Sequence, residues 1–143
     1  MKKVFADSHY WIALAKPRDQ WEKAAKAARE LLGEALIVTT DEVLTEFLAA
    51  LSSVKYLRQL AAKMVRSILE NPNVKVIPQT RDSFLKGLTF YERQNDKQYS
   101  LIDCISMNVM KNESLVEVLT NDSHFEQEGY TMIVISSRKG ILF

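Results

Sequence analysis

Val4-Phe5-Ala6-Asp7-Ser8 decides the fold: three apolar residues run straight into an acid and a hydroxyl. A run this short, followed by a helical pattern, reads as a buried strand whose carboxyl end carries a polar group. Four further runs, at residues 36–38, 74–77, 116–119 and 132–135, repeat the pattern, and long crossovers separate them all. Short apolar runs alternating with helices predict an α/β fold in three layers, a five-stranded parallel sheet flanked by about seven helices. With no internal repeat, low-complexity tract or linker, residues 1–143 are read as one domain.

The crossovers divide at their turn signals. Residues 9–15 and 20–32 form two helices, with Pro17 between them and Gly33 as a stop. Thr39 is expected to cap the next helix, with Glu42 three residues on completing a capping box. Leu57, Leu60, Ala61, Met64, Val65 and Ile68 then recur at helical spacing up to Asn71-Pro72. Residues 81–94 and 100–111 lead to the fourth strand, parted by Asn95-Asp96-Lys97-Gln98, and a short helix at 123–128 precedes Gly129.

In such a sheet Asp7, Glu46, Asp103 and Asp122 fall at one edge, the carboxyl edge where open α/β sheets bind ligands. Each acid also has a local explanation. Asp7 or Ser8 could cap the helix at 9–15, Asp103 could form a capping box with Ser100, and Asp122 could cap the helix leading to Phe125. Glu46 could be a solvated helix position, although Val43, Leu44, Phe47 and Leu48 surround it. Glu42, one turn earlier on the same face, is explained by its capping box. None of these local roles explains why all four acids share an edge.

Two carboxylates about 5 Å apart at an effective dielectric near 20 repel by roughly 3 kcal/mol. Four in one cleft call for protons or cations, and an oxygen-only donor set suits Mg²⁺ or Mn²⁺ better than zinc. His9 and His124, the only histidines, make no zinc spacing with the single cysteine. Cys104, among Leu101, Ile102 and Ile105, reads as a core thiol.

The net charge of +1 excludes a globally polyanion-binding chain, so nucleic-acid contact must come from local cations. Lys16, Arg18, Lys97, Arg138 and Lys139 fall in expected loops or chain ends and are candidates for RNA contact. Tyr10, Trp11 and Tyr99 are candidates for stacking on unpaired bases, with core packing the stronger reading for Trp11. No apolar stretch approaches a membrane span and no signal-peptide core is visible, so a cytoplasmic protein without membrane association is expected.

The segments Val4-Phe5-Ala6-Asp7-Ser8, Val43-Leu44-Thr45-Glu46-Phe47, Ser100-Leu101-Ile102-Asp103 and Leu119-Thr120-Asn121-Asp122-Ser123-His124-Phe125 resemble, in order and spacing, the motif blocks of PIN domains. The likeness is closest to the small VapC toxin type and covers nearly the whole chain. It implies a metal-dependent endoribonuclease with one or two Mg²⁺ or Mn²⁺ ions. Asp7, Asp103 and Asp122 match the family's metal-binding acids, and Glu46 matches the acid that orients water or completes the shell. Ser8, Ser100 and Asn121 become supporting residues around those acids. His9 stands where many members carry Asn.

The same resemblance implies a small antitoxin partner and a homodimer, with Phe47, Leu51, Leu57 and Leu60 as possible contacts, although core packing explains most of these residues. A housekeeping RNA-processing nuclease and a non-catalytic PIN-fold module for RNA or protein binding are the alternatives. The filled acidic positions argue against the latter. A phospho-accepting receiver domain would need an acid after the third strand and a lysine after the fifth, where this chain has Pro78 and Ser136.

Overall fold

The computed structural model describes residues 2–15, 26–27, 29–30 and 33–133. Five strands, β1 (Lys3–Ala6), β2 (Leu36–Thr40), β3 (Val74–Ile77), β4 (Glu117–Leu119) and β5 (Thr131–Ile133), form one sheet in the order β3-β2-β1-β4-β5. Every neighbouring pair is parallel. Val4, Phe5, Ala6, Val38, Val118 and Leu119 are wholly buried. Successive strand residues face opposite sides, so both faces of the sheet centre are covered, which is why the strands read as unbroken apolar runs.

Six helices lie among the described residues: α1 (Ser8–Ala15), α2 (Asp41–Ala50), α3 (Lys55–Glu70), α4 (Arg81–Arg93), α5 (Leu101–Asn112) and α6 (His124–Gln127). The helix expected over 20–32 and the end of the fifth strand beyond 133 lie wholly or mostly outside the described residues. One cap moves by a residue. Thr40, not Thr39, caps α2, its hydroxyl accepting the Val43 N–H at 3.0 Å. The reason is that β2 runs on through Thr39, whose buried hydroxyl donates to the Ala6 carbonyl at 2.9 Å. Val43 therefore takes the third helical position, and Glu42 plays no part in a capping box.

From β1 the chain builds outward through β2 to β3, then crosses back to place β4 on the other side of β1. The connections after β1 and β4 thus leave in opposite directions, opening a crevice at their carboxyl ends. Asp7 leaves β1 there, still held to β4 by its N–H donating to the Leu119 carbonyl at 3.2 Å. On the flank, α4 packs against α5 with Gly87 directly over Ile105, and a Cβ at Gly87 would overlap Ile105 Cγ1. That close approach fixes α5, whose first turn carries Asp103.

Candidate metal centre

Asp7, Glu46, Asp103 and Asp122 line one cleft of about 360 Å³ at the β1/β4 switch point, together with Ser8, His9, Ile12, Gln98, Ser100 and His124. Each arrives from a different element. Asp7 follows β1, Glu46 comes from the second turn of α2, Asp103 from the first turn of α5, and Asp122 from the loop after β4. The joint placement expected from the sequence is what the fold produces.

The local roles turn out to coexist with convergence. Ser100 and Asp103 do form a capping box, each backbone N–H donating to the other's side chain at 3.0 Å. The same Asp103 Oδ2 also meets His124 Nδ1 at 2.9 Å. Asp122 Oδ1 accepts the His124 N–H at 2.9 Å, a turn that opens α6, and lies 3.2 Å from His124 Nδ1. Ser8 Oγ donates to Glu46 Oε1 at 2.6 Å, so the hydroxyl beside the first acid aims the second.

Two residues that the sequence reading passed over join these acids. Thr120, wholly buried, donates its hydroxyl to Asp7 Oδ2 at 2.8 Å and accepts the Asp122 N–H at 3.0 Å. It is thus a single-atom link between the acids after β1 and β4. A hydroxyl one residue past an apolar run was the available signal. His124 is the other, two residues beyond Asp122, and its spacing from that acid was visible but was weighed only against zinc patterns. His9 Nδ1 accepts the Asn121 N–H at 3.2 Å and lies 3.9 Å from Asp7 Oδ2. Asn121 thereby contributes through its backbone and does not line the cleft.

Asp7 is 4% exposed, and its burial pushes the carboxyl up from 3.8 to about 6. His9, the Thr120 hydroxyl and a hydrogen bond at the Ser8 backbone oppose the rise, while Glu46 adds to it. The cations that the described residues bring within salt-bridge distance of these acids are histidines. Four carboxylates with no lysine or arginine paired to them among the described residues, one of them raised by burial, are the hard-oxygen donor set that a divalent ion fits.

Of the expected RNA contacts, Lys97 is half-buried and lines a shallow depression that shares Gln98 and Ser100 with the cleft. Lys16, Arg18, Arg138 and Lys139 lie outside the described residues. The stacking role considered for Tyr10, Trp11 and Tyr99 does not fit, because the three side chains are buried. Tyr10 and Trp11 pack edge to face, and Trp11 donates to Thr39 Oγ1 at 3.4 Å. Tyr99 sits between Phe90 and His124 with its hydroxyl on Glu128. Phe47 and Leu51 are likewise spent on the core, while Leu57 and Leu60 are half-buried. Cys104 is buried, which raises its thiol to about 11, as a core thiol should be.

The sequence profile of the PIN domain matches residues 4–128. A comparison with curated proteins finds no significant sequence match. Among solved structures, Mycobacterium tuberculosis VapC20, a toxin that cleaves the sarcin–ricin loop, superposes with a TM-score of 0.79 at 22% identity, over 90% of this chain and 96% of that one. VapBC2 from Rickettsia felis, bound to a DNA fragment from its promoter, gives 0.68 at 13% identity over 92% and 98%. A toxin–antitoxin complex from Klebsiella pneumoniae gives 0.64 at 16% identity over 92% and 97%. At these identities the superpositions establish a shared fold.

Proposed function

The chain belongs to the PIN domain family, and on that premise we propose that it is a metal-dependent endoribonuclease that hydrolyses RNA phosphodiester bonds in the cytoplasm, as the toxin of a type II toxin–antitoxin pair. The observation that carries the proposal is the convergence of Asp7, Glu46, Asp103 and Asp122 on one cleft with no lysine or arginine among their described ion-pair partners. Asp7, Asp103 and Asp122 would hold Mg²⁺ or Mn²⁺, and Glu46 would complete the shell or orient a water beside it. A bound divalent ion supplies charge for the scissile phosphate and acidifies water, and a second ion would serve the leaving oxygen.

The chain's own residues set up that chemistry. Thr120 fixes one oxygen of Asp7, and Ser8 turns Glu46 towards the same space. The capping box with Ser100 holds Asp103 at the helix start. Burial raises the Asp7 carboxyl to about 6, so a proton relieves part of the repulsion among the acids only below that pH, and at neutral pH a cation has to offset it. Lys97, beside the cleft, is the described cation best placed for an RNA phosphate; Lys16, Arg18, Arg138 and Lys139 complete the proposed contacts. The products carry a 5′ phosphate and a 3′ hydroxyl. The toxin role with a small antitoxin partner is supported by similar structures that are themselves a toxin and a toxin–antitoxin complex; a homodimeric assembly completes the proposal.

The test is cleavage of mixed structured and single-stranded RNAs by purified protein in Mg²⁺, Mn²⁺ or EDTA, beside Asp103→Asn prepared identically. Metal-dependent cutting that the variant lacks is expected. Equal cutting by both proteins would overturn the assignment of the site.

A further inference from the structure

The four acids make an oxygen-only set, but two histidines, His9 and His124, also line the cleft, and His124 Nδ1 comes within 3.2 Å of two of the acids. We infer that His124, through Nδ1, is itself a ligand of the ion alongside Asp103 and Asp122, and that it tilts the site from Mg²⁺ towards Mn²⁺. The inference rests on the metal-dependent reading above and deepens it by naming a further ligand and the class of ion.

The spacing is that of donors around one ion. With metal–donor bonds of about 2.1 Å, adjacent donors at right angles stand about 3.0 Å apart and opposite donors about 4.2 Å. His124 Nδ1 lies 2.9 Å from Asp103 Oδ2 and 3.2 Å from Asp122 Oδ1. One donor atom from each of the three residues lies within 4.8 Å of the other two, so small side-chain rotations close them on a common centre. A surface histidine meeting one acid by chance would need no such triangle.

The imidazole is also held in place beside the acids. Asp122 Oδ1 accepts the His124 backbone N–H at 2.9 Å, so the turn that begins α6 sets the ring beside the acid it would share an ion with. The ring of Tyr99 packs on it at 5.4 Å between centroids, and the Tyr99 hydroxyl is tied to Glu128 at 2.9 Å. The His124 side chain is 24% exposed, enough to reach the cleft without being loose in solvent. A hydrogen on Nδ1 would be donated to Asp103 Oδ2. To ligate, that nitrogen gives up its hydrogen and the ring takes the Nε2–H form.

The donor set separates the two candidate ions. Mg²⁺ demands near-ideal octahedral oxygen and gains little from imidazole, whereas imidazole suits the first-row transition ions and strengthens binding in their order. Three or four carboxylates would serve both ions. Adding His124 separates them in favour of Mn²⁺.

The measurement is electron spin-echo spectroscopy of Mn²⁺ bound to the full chain, which reads nitrogen directly bonded to the ion, with calorimetric titrations of Mn²⁺ and Mg²⁺. The wild type should show nitrogen coupling that is lost in His124→Gln and His124→Ala and kept in His9→Ala. Mn²⁺ affinity should fall by about tenfold in the His124 variants while Mg²⁺ affinity changes little. Bound Mn²⁺ without nitrogen coupling in the wild type, or coupling that survives in the His124 variants, would overturn the ligand assignment and leave the metal site standing. Failure of the wild type to bind Mn²⁺ at all would overturn the metal-dependent reading itself.

Discussion

Helices α4 and α5 begin with the same device and lead to different ends. Thr80 and Ser83 form a capping box at the start of α4, and Ser100 and Asp103 form one at the start of α5. In each, a hydroxyl at the cap and a polar residue three positions on exchange hydrogen bonds near 3.0 Å with backbone N–H groups. Ser83 is half-buried, and its hydroxyl bonds only within the cap, to the Thr80 N–H and carbonyl. Asp103 is 8% exposed and uses the same Oδ2 for the cap and for His124. The local motif stabilises a helix end in both places. Only its position relative to the β1/β4 crevice turns one of them into part of a site.

The sharpest break of that comparison is Asp103→Asn. The amide still accepts the Ser100 N–H, so the cap persists, but the charge that an ion needs is gone. RNA cleavage should fall by more than about 100-fold, since even residues that only orient ligands cost 10- to 100-fold. Thermal unfolding in EDTA should be nearly unchanged or improved. A large loss of stability with cleavage retained would place Asp103 with Ser83, as a capping residue alone.

Asp7 extends the contrast to pH. Its folded-state value of about 6 lies above the ordinary 3.8, so the folded chain holds a proton that the unfolded chain releases between these two values. Stability therefore falls as pH rises through this window and stays low above it, by about 3 kcal/mol in all. Unfolding midpoints in EDTA from pH 3.5 to 7.5 should show this loss in the wild type, with its Asp7 share missing in Asp7→Asn. Mn²⁺ or Mg²⁺ requires the charged form, so ion binding should weaken as pH drops below about 6 and should restore stability above it. A flat difference between the two proteins across the window would refute the burial argument.

How much of this was legible before the fold was known follows from the range of the interactions. The strands showed in the sequence because both faces of β1 and β4 are buried, which leaves apolar residues at every position after the first. The acids showed because each ends a run or starts a helix, positions that short-range spacing reveals. Strand order, and with it the neighbourhood of β1 and β4, depends on contacts more than a hundred residues apart, and no local pattern encodes it. Thr120 was missed for that reason: its hydroxyl matters only because Asp7, 113 positions away, lies 2.8 Å from it. The cap at Thr39 failed on a smaller scale. Both Thr39 and Thr40 suit a cap, and only the pairing of β2 with β3 through Thr39 and Thr40 decides where the strand stops.

Gly87 tests how rigidly α5 must be set for Asp103 to serve. Alanine there gains up to about 1 kcal/mol of helix propensity but forces a methyl into Ile105, an overpacking that typically costs 1 to 3 kcal/mol. Gly87→Ala should be net destabilising by about 1 kcal/mol, read from denaturant midpoints, and should weaken Mn²⁺ binding by displacing the first turn of α5. Gly87→Ala in combination with Ile105→Ala, which removes the obstructing Cγ1, should recover the ion binding lost in Gly87→Ala alone.

The smallest effect is the most discriminating, because it compares the two boxes directly. Thr80→Ala and Ser100→Ala each remove one capping hydroxyl, and each should cost about 1 kcal/mol of stability. Their effects on the cleft should part. Thr80 lies beside Phe84 and Ile105 in an apolar hollow away from the acids, so Mn²⁺ affinity in Thr80→Ala should match the wild type. Ser100 lines the cleft and its hydroxyl accepts the backbone N–H of Asp103, so Ser100→Ala loosens the helix start that carries the carboxylate beside His124, although the Ser100 N–H still donates to Asp103 Oδ2. Equal loss of stability with unequal loss of ion affinity is the expected result. Equal losses of both would mean that the cap governs the site only through the stability of the helix, and that the position of α5 at the crevice adds nothing further.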